Sequence, residues 1–185
     1  DERYWDGSID SIFATRRGPY VDYLVDAVER YMAGGLGHAG LSTSYSGSLI
    51  EQLDRCGLAG LAGGGYAHWQ RRLIEGTMAR TALGHPRIDF VAFGHFHPLM
   101  PLIPERDIVR QIEWHRNLVG ERFGAQASTV LFPPETAFHV RMIPALLRSG
   151  VSAVIYDSIH CFRACKGYPY AGKSEGMLPP SLADQ

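Results

Sequence analysis

Arg87-Ile-Asp-Phe-Val-Ala-Phe93 is the run of sequence that says most about the architecture of this chain. It is short and mostly apolar, a pattern typical of a strand buried on both faces of a parallel sheet. It leads directly into Gly94-His-Phe-His-Pro98. We therefore predict a buried parallel strand followed by a loop that carries two histidines.

Segments with strand and helix patterns alternate on both sides of this run. The predicted strands are 41–45, 87–93, 128–132 and 151–156, and the predicted helices are 19–33, 48–57, 66–82, 105–123 and 137–149. Alternation at this spacing implies βαβ units and a parallel sheet. The residues therefore predict an α/β fold with four visible parallel strands.

Two of the predicted helices carry signals near their start. Ser48-Leu-Ile-Glu51 has the spacing of a capping box, in which each side chain satisfies a free backbone N–H group of the first turn. Pro144 lies inside the last predicted helix. A proline there must either bend the helix or mark its true start.

The composition is that of an ordinary globular protein, with 45% hydrophobic and 20% charged residues among 185. Because 18 basic residues nearly balance 19 acidic ones, no strong field would attract nucleic acid or an anionic membrane surface. No apolar run approaches the roughly 20 residues needed to cross a bilayer. We expect a soluble piece whose partners are small or neutral, with no nucleic-acid or membrane partner.

The length of the chain fits one domain spanning residues 1–185. The chain begins at Asp1 without a methionine, and its last stretch, 176–185, reads as a loop broken off in mid-sequence. We therefore expect this domain to be truncated at both ends and to belong to a longer polypeptide.

The three cysteines are Cys56, Cys161 and Cys165. An odd number without a disulfide-framework spacing favours a reducing compartment, which predicts a cytoplasmic location. Cys161-Phe-Arg-Ala-Cys165 is a weak zinc signal because no second Cys or His pair accompanies it. We expect ordinary thiols.

Polar residues follow each of the four predicted strands. They are Ser44 and Ser46, then His95 and His97, then Glu135, and finally Asp157 and His160. In parallel sheets the loops after the carboxyl ends of the strands form the active site, since polar groups converge there. This coincidence predicts a functional site at that edge of the sheet.

Glu135 is the strongest single candidate for catalysis. It follows two prolines at a strand end, so its backbone is stiff and its carboxylate can be held in place at little entropic cost. A fixed carboxylate suits a nucleophile or a general base. The alternative is that Glu135 only caps the next helix, and position alone does not separate the two interpretations.

The two histidines of the second strand end alternate, so in an extended segment both would point the same way. His95 and His97 would then be a pair of metal ligands, completed by Asp157 or His160. The alternative, which we favour in the absence of a clear third ligand, is hydrogen bonding to sugar hydroxyls or buried backbone. We favour substrate contact or structural support for Asp157, which could otherwise act as a second acid or base.

The stretch from about Arg87 to Arg163 resembles glycoside hydrolase family 57. The resemblance rests on three motifs, which are Gly94-His-Phe-His-Pro-Leu-Met-Pro-Leu-Ile-Pro-Glu-Arg-Asp107 with the helical Gln111-Ile112, Phe132-Pro-Pro-Glu-Thr-Ala-Phe138, and Val154-Ile-Tyr-Asp-Ser158. The resemblance implies an enzyme that acts on α-glucans with a retaining mechanism. It also implies an incomplete barrel of seven strands, similar to that of polysaccharide deacetylases, with the four strands as its middle portion.

The same resemblance assigns roles to individual residues. Glu135 falls where the family has its nucleophile, and His97 falls in a motif beside the substrate. The predicted substrate-binding residues are His95, His97, Phe132, Asp157 and His160, and no metal or cofactor is expected. The family's opening His-Gln-Pro motif is absent, and its aspartate general acid lies further downstream than this chain extends, so the acid is expected outside these residues.

Two other functions remain open on the residues alone. One is a metal-dependent deacetylase that uses His95, His97 and Asp157 on the same type of barrel. The other is a non-catalytic carbohydrate-binding protein. Three tryptophans could stack on sugar rings, namely Trp5, Trp69 and Trp114. Trp114 lies within a predicted helix, so we favour a packing or surface role for it.

Overall fold

The computed structural model describes residues 7–60 and 62–157. Six α-helices and four short strands lie in this part of the chain, joined by single turns of 3-10 or π-helix. In chain order the elements are α1 Gly7–Arg17, α2 Tyr23–Ala33, β1 Leu41–Thr43, α3 Gly47–Leu58, α4 Arg71–Met78, β2 Ile88–Phe90, α5 Glu105–Phe123, β3 Val130–Leu131, α6 Ile143–Arg148 and β4 Ala153–Val154.

The four strands are parallel and lie side by side in chain order. β1 pairs with β2, with Leu41 opposite Ile88, and β3 pairs with β4. A parallel bridge between Ala92 and Leu131 joins the two pairs, and the Ala92 amide donates to the Val130 carbonyl at 2.8 Å. The parallel sheet predicted from the sequence is confirmed. Sequential order without a reversal is the order found in (β/α) barrels.

Several predicted helix boundaries differ from the structure, and those of α3 and α4 are the most informative. α3 begins at Gly47 because Ser46, not Ser48, is its cap, and the Ser46 hydroxyl accepts the Leu49 N–H at 3.2 Å. The predicted helix 66–82 shortens to Arg71–Met78, since His68 has a positive φ of 54° and the chain becomes extended at Ala79. The predicted capping box at 48–51 was wrong, because Ser46 and not Ser48 caps α3.

The other helices agree more closely with the sequence patterns. α5 has the predicted bounds, 105–123, and is capped by Gly124, whose φ of 60° lies in the left-handed region that glycine adopts readily. Pro144 marks a start and not a bend, because α6 begins at Ile143. In the first turn of a helix the missing N–H of proline has no partner to lose.

The buried residues form two clusters on either side of α5. The larger lies among α1 to α5 and β2, and the Phe90 and Phe123 rings stack within it at 4.3 Å. The second lies between β3, α5 and α6 and includes Ile112, Leu131 and Met142. α5 is thus packed on both sides, which fixes it against the sheet.

No helix within residues 7–60 and 62–157 is both long enough and apolar enough to cross a membrane. Cys56 is a buried thiol, while Cys161 and Cys165 lie outside the described residues.

Candidate active site

The loops after the four strands bring the predicted site residues to one edge of the sheet. Because the strands are parallel and adjacent, their carboxyl ends face the same way. Glu135 follows β3, and the two histidines follow β2. Asp157 follows β4 and is exposed, whereas His160 lies outside the described residues.

Glu135 lies in a tight turn and not at the start of a helix. The turn spans Pro134–Thr136, and Glu135 has a φ of 57° and a ψ of 23°, which is left-handed backbone. Pro133 and Pro134 are buried, while the Glu135 carboxylate is exposed and has no hydrogen-bond partner among the described residues. The helix-cap alternative is wrong, because α6 begins only at Ile143.

Backbone strain concentrates at this edge. Four non-glycine residues in the described chain have positive φ, and three of them are His97, Glu135 and Thr136. Each such residue costs on the order of 1 kcal/mol or more and persists only where the surrounding structure enforces it. The strained residues are thus those that present an imidazole and a carboxylate at the ends of β2 and β3.

Aromatic rings connect these two loops beneath the surface. The exposed His97 ring lies 5.3 Å from the ring of Phe93, which is buried. The Phe93 ring stacks in turn on the half-buried Phe132 ring at 6.2 Å. A base of packed rings therefore runs from the histidine loop to the strand end that precedes Glu135.

His95 and His97 do not form a pair. The chain turns at His95 and Phe96 instead of staying extended, so the two rings have different neighbours and the expectation that they point the same way was wrong. His95 is buried against α3, with its Nε2 3.6 Å from Glu51 Oε1. Within the described residues, no group of three His, Cys, Asp or Glu side chains is placed to hold a metal ion.

His115 is a site-supporting residue that the sequence patterns did not identify. Its ring is fully buried on α5, where its Nδ1 accepts the Phe93 N–H at 3.3 Å and its Nε2 lies 2.9 Å from the Tyr45 carbonyl oxygen. An amide can only donate and a carbonyl can only accept, so the ring is neutral with its proton on Nε2. His115 thus joins the ends of β1 and β2.

Burial lowers the pKa of His115 to about 4, and electrostatic interactions with His95 and Arg116 act in the same direction. The hydrogen bond to the Tyr45 carbonyl opposes them. His115 has helical spacing with Ile108 and Ile112, but nothing in the sequence named its backbone partners.

The tryptophans differ in exposure. Trp69 is buried and its indole N–H donates to Asp54 at 3.0 Å, so stacking on a sugar is not its role here. Trp114 is half exposed on α5. Trp5 lies outside the described residues.

The packing of His95 can be tested through Gly47. A Cβ atom at Gly47 would come within 2.5 Å of Cγ and Cε1 of the His95 ring. We expect Gly47→Ala to destabilise the protein by about 1–3 kcal/mol, measured from its denaturant midpoint, because the buried ring must move. The control is Gly120→Ala, where a Cβ meets nothing within 4 Å and is expected to stabilise α5 by about 0.5–1 kcal/mol. Equal stability of both variants would contradict this packing.

Sheet order and site together define an α/β protein of parallel strands, with a glutamate in a left-handed turn at the carboxyl edge of its strands. The chain belongs to glycosyl hydrolase family 57, whose family model matches residues 12–177. The family predicted from the three motifs is therefore confirmed.

Individual relatives are similar over parts of their length. An alpha-amylase from Niallia circulans is 26% identical over 115 residues, which are 58% of this chain and 9% of that protein. Alpha-amylase 1 from Dictyoglomus thermophilum is 28% identical over 76 residues, 41% of this chain and 11% of that protein. The chain thus spans about a tenth of the length of these curated relatives.

The fold also resembles a solved structure. The 4-alpha-glucanotransferase from Thermococcus litoralis superposes with a TM-score of 0.55 at 18% identity, over 77% of this chain and 19% of that protein. At this identity the likeness concerns the fold alone. The likeness extends to a barrel-type fold, while the full set of seven strands remains a prediction.

Proposed function

We propose that this chain carries the nucleophile of a retaining glycoside hydrolase or glycosyl-transferring enzyme that acts on α-linked glucan. The observation that supports this most is the exposed Glu135 carboxylate, held by a left-handed turn after two buried prolines at the carboxyl end of β3. The substrate class follows from the family and from relatives named as amylases.

The proposed reaction is a double displacement. A Glu135 oxygen attacks the anomeric carbon, and the bond from that carbon to the leaving oxygen breaks while a carboxylic acid protonates that oxygen. Water or the hydroxyl of a second sugar then attacks the same carbon, gives its proton to the carboxylate left by that acid, and releases Glu135 as the carbon–Glu135 bond breaks. The acid is expected outside this chain. Asp157 is the in-chain alternative, since it follows the strand next to β3.

Several side chains at the rim are proposed to bind the sugar. His97 is exposed and is held over the Phe93 ring, so its nitrogens can meet sugar hydroxyls. Phe132 offers part of its ring beside the Glu135 turn, and Asp157 offers a carboxylate. His95 is buried and would act indirectly, by holding the loop after β2 against α3. His160 remains a predicted contact outside the described residues.

The stereochemistry of the product tests this proposal directly. The protein that contains this chain should release sugars from an α-1,4-linked oligosaccharide as the α-anomer, because two inversions restore the configuration. Proton NMR in the first minutes of the reaction distinguishes the anomers before mutarotation. Initial release of the β-anomer, or release of acetate from an acetylated glycan without cleavage of the glycosidic bond, would contradict the proposal.

A further inference from the structure

Two aromatic side chains lie exposed beside the candidate site. Phe96 is 55% and Trp114 is 49% exposed, although both are large and apolar. Their ring centroids are 6.0 Å apart and their planes are nearly perpendicular, at 79°. They form an open corner, which we name the Phe96–Trp114 corner.

Neighbouring side chains hold the corner in place. The buried His95 ring lies edge-on to both, with centroids 4.5 Å from Phe96 and 6.1 Å from Trp114. The Phe96 N–H donates to Gln111 Oε1 at 2.8 Å, which ties the loop to α5. Because the rings are already ordered, little conformational entropy is lost when something binds to them.

A carboxylate lies next to this aromatic surface. Glu51 on α3 is partly exposed, and its Oε1 is 3.6 Å from Nε2 of His95, the ring at the base of the corner. A carboxylate beside an apolar ring face suits a ligand that has both C–H faces and hydroxyl donors, such as a sugar. A purely apolar protein segment would instead leave the carboxylate desolvated.

The corner is linked along the chain to the candidate active site. Phe96 directly precedes His97, whose ring packs on Phe93, and Phe93 stacks on Phe132 beside the Glu135 turn. We propose that the Phe96–Trp114 corner is an outlying subsite that binds a glucose unit of a long α-glucan whose other units occupy the site at Glu135. This inference rests on the proposed function.

The test compares long and short substrates on the protein that contains this chain. Trp114→Ala should raise KM for amylose roughly tenfold through lost stacking, and should leave turnover of a short activated maltoside unchanged. Trp114→Tyr should restore most of the affinity. Tyr23→Ala, which removes an aromatic ring 64% exposed on α2, is the matched control and should change neither value.

The outcomes separate this inference from the proposed function. An unchanged KM for amylose in Trp114→Ala, with the wild type active on both substrates, would overturn the subsite alone. A wild type inactive on every α-glucan would overturn the proposed function, and absence of binding to amylose in gel retardation would then overturn the subsite too. A lower melting temperature of Trp114→Ala with unchanged binding would show that another part of the protein covers the corner.

Discussion

We expect Glu135→Gln to lower the turnover of α-glucan by roughly a thousandfold or more, because an amide cannot form the proposed covalent glycosyl intermediate. The change keeps the size of the side chain and its left-handed backbone, and the wild-type carboxylate has no hydrogen-bond partner among the described residues that the change would remove. The measurement is the initial rate on maltooligosaccharides with the protein that contains this chain. Its melting temperature should stay within the experimental error of the wild type.

Two further variants separate chemistry from folding. Glu135→Gly removes the nucleophile at a position with a φ of 57°, where glycine is less strained. This variant should be inactive but at least as stable as the wild type. Added azide should enter in place of the carboxylate and yield a β-glycosyl azide, the product of one inversion. The control is Glu121→Gln, at an exposed position near the carboxyl-terminal end of α5, and it should be fully active. Near-normal turnover of Glu135→Gln would refute the nucleophile assignment.

We expect acid to weaken the connection that His115 makes between the ends of β1 and β2. The ring must be neutral to accept the Phe93 N–H and donate to the Tyr45 carbonyl. Its pKa is about 4 in the folded chain and 6.5 in the unfolded chain. The unfolded chain therefore takes up the proton first as the pH falls. The stabilisation is complete above pH 6.5 and is lost between 6.5 and 4, and the difference corresponds to about 3 kcal/mol.

Hydrogen exchange gives a local measure of this loss. The Phe93 amide donates to the nitrogen of His115 that acquires the proton, so its protection should fall steeply below pH 6, beyond the intrinsic effect of pH on exchange. His115→Gln keeps one donor and one acceptor but does not titrate, so its stability should be flat over this range. His115→Leu should cost about 2–4 kcal/mol above pH 6.5, because the Phe93 amide and the Tyr45 carbonyl lose their partner, and this cost should shrink as the pH falls and the wild type loses the same stabilisation.

The matched control for this experiment is an exposed histidine. His85→Gln should leave both the pH dependence and the protection of Phe93 unchanged. If the wild type and His115→Gln lose stability in parallel between pH 6.5 and 4, another group governs the acid sensitivity. The connection between the ends of β1 and β2 would then not depend on the charge of His115.

The sequence predicted elements where a single local pattern governs the backbone. The apolar spacing of α5 and its glycine stop predicted both ends of that helix. The strands were predicted in the right places but too long. The sequence pattern shows which residues can be extended, but not how many of them pair with a neighbouring strand. The end of α4 was misjudged because turns at its flanks override helical periodicity.

The candidate site shows the same division. Two prolines before a glutamate at a strand end, and the surrounding motifs, were enough to select Glu135 and the family. The backbone conformation that presents Glu135 was not predicted, because a positive φ at a non-glycine residue is imposed by the surrounding packing. The supposed pairing of His95 and His97 failed for a related reason, since the chain turns where extension was assumed.

By itself the sequence determined the order of strands and helices, the edge of the sheet where polar groups meet and the identity of the candidate nucleophile. These follow from periodicity and local steric rules, which act over a few residues. Only the tertiary structure decided that His115 joins two strand ends and that Phe96 and Trp114 form one exposed corner over His95. Such contacts join residues far apart in the chain, and their partners are set by how the helices pack against the sheet.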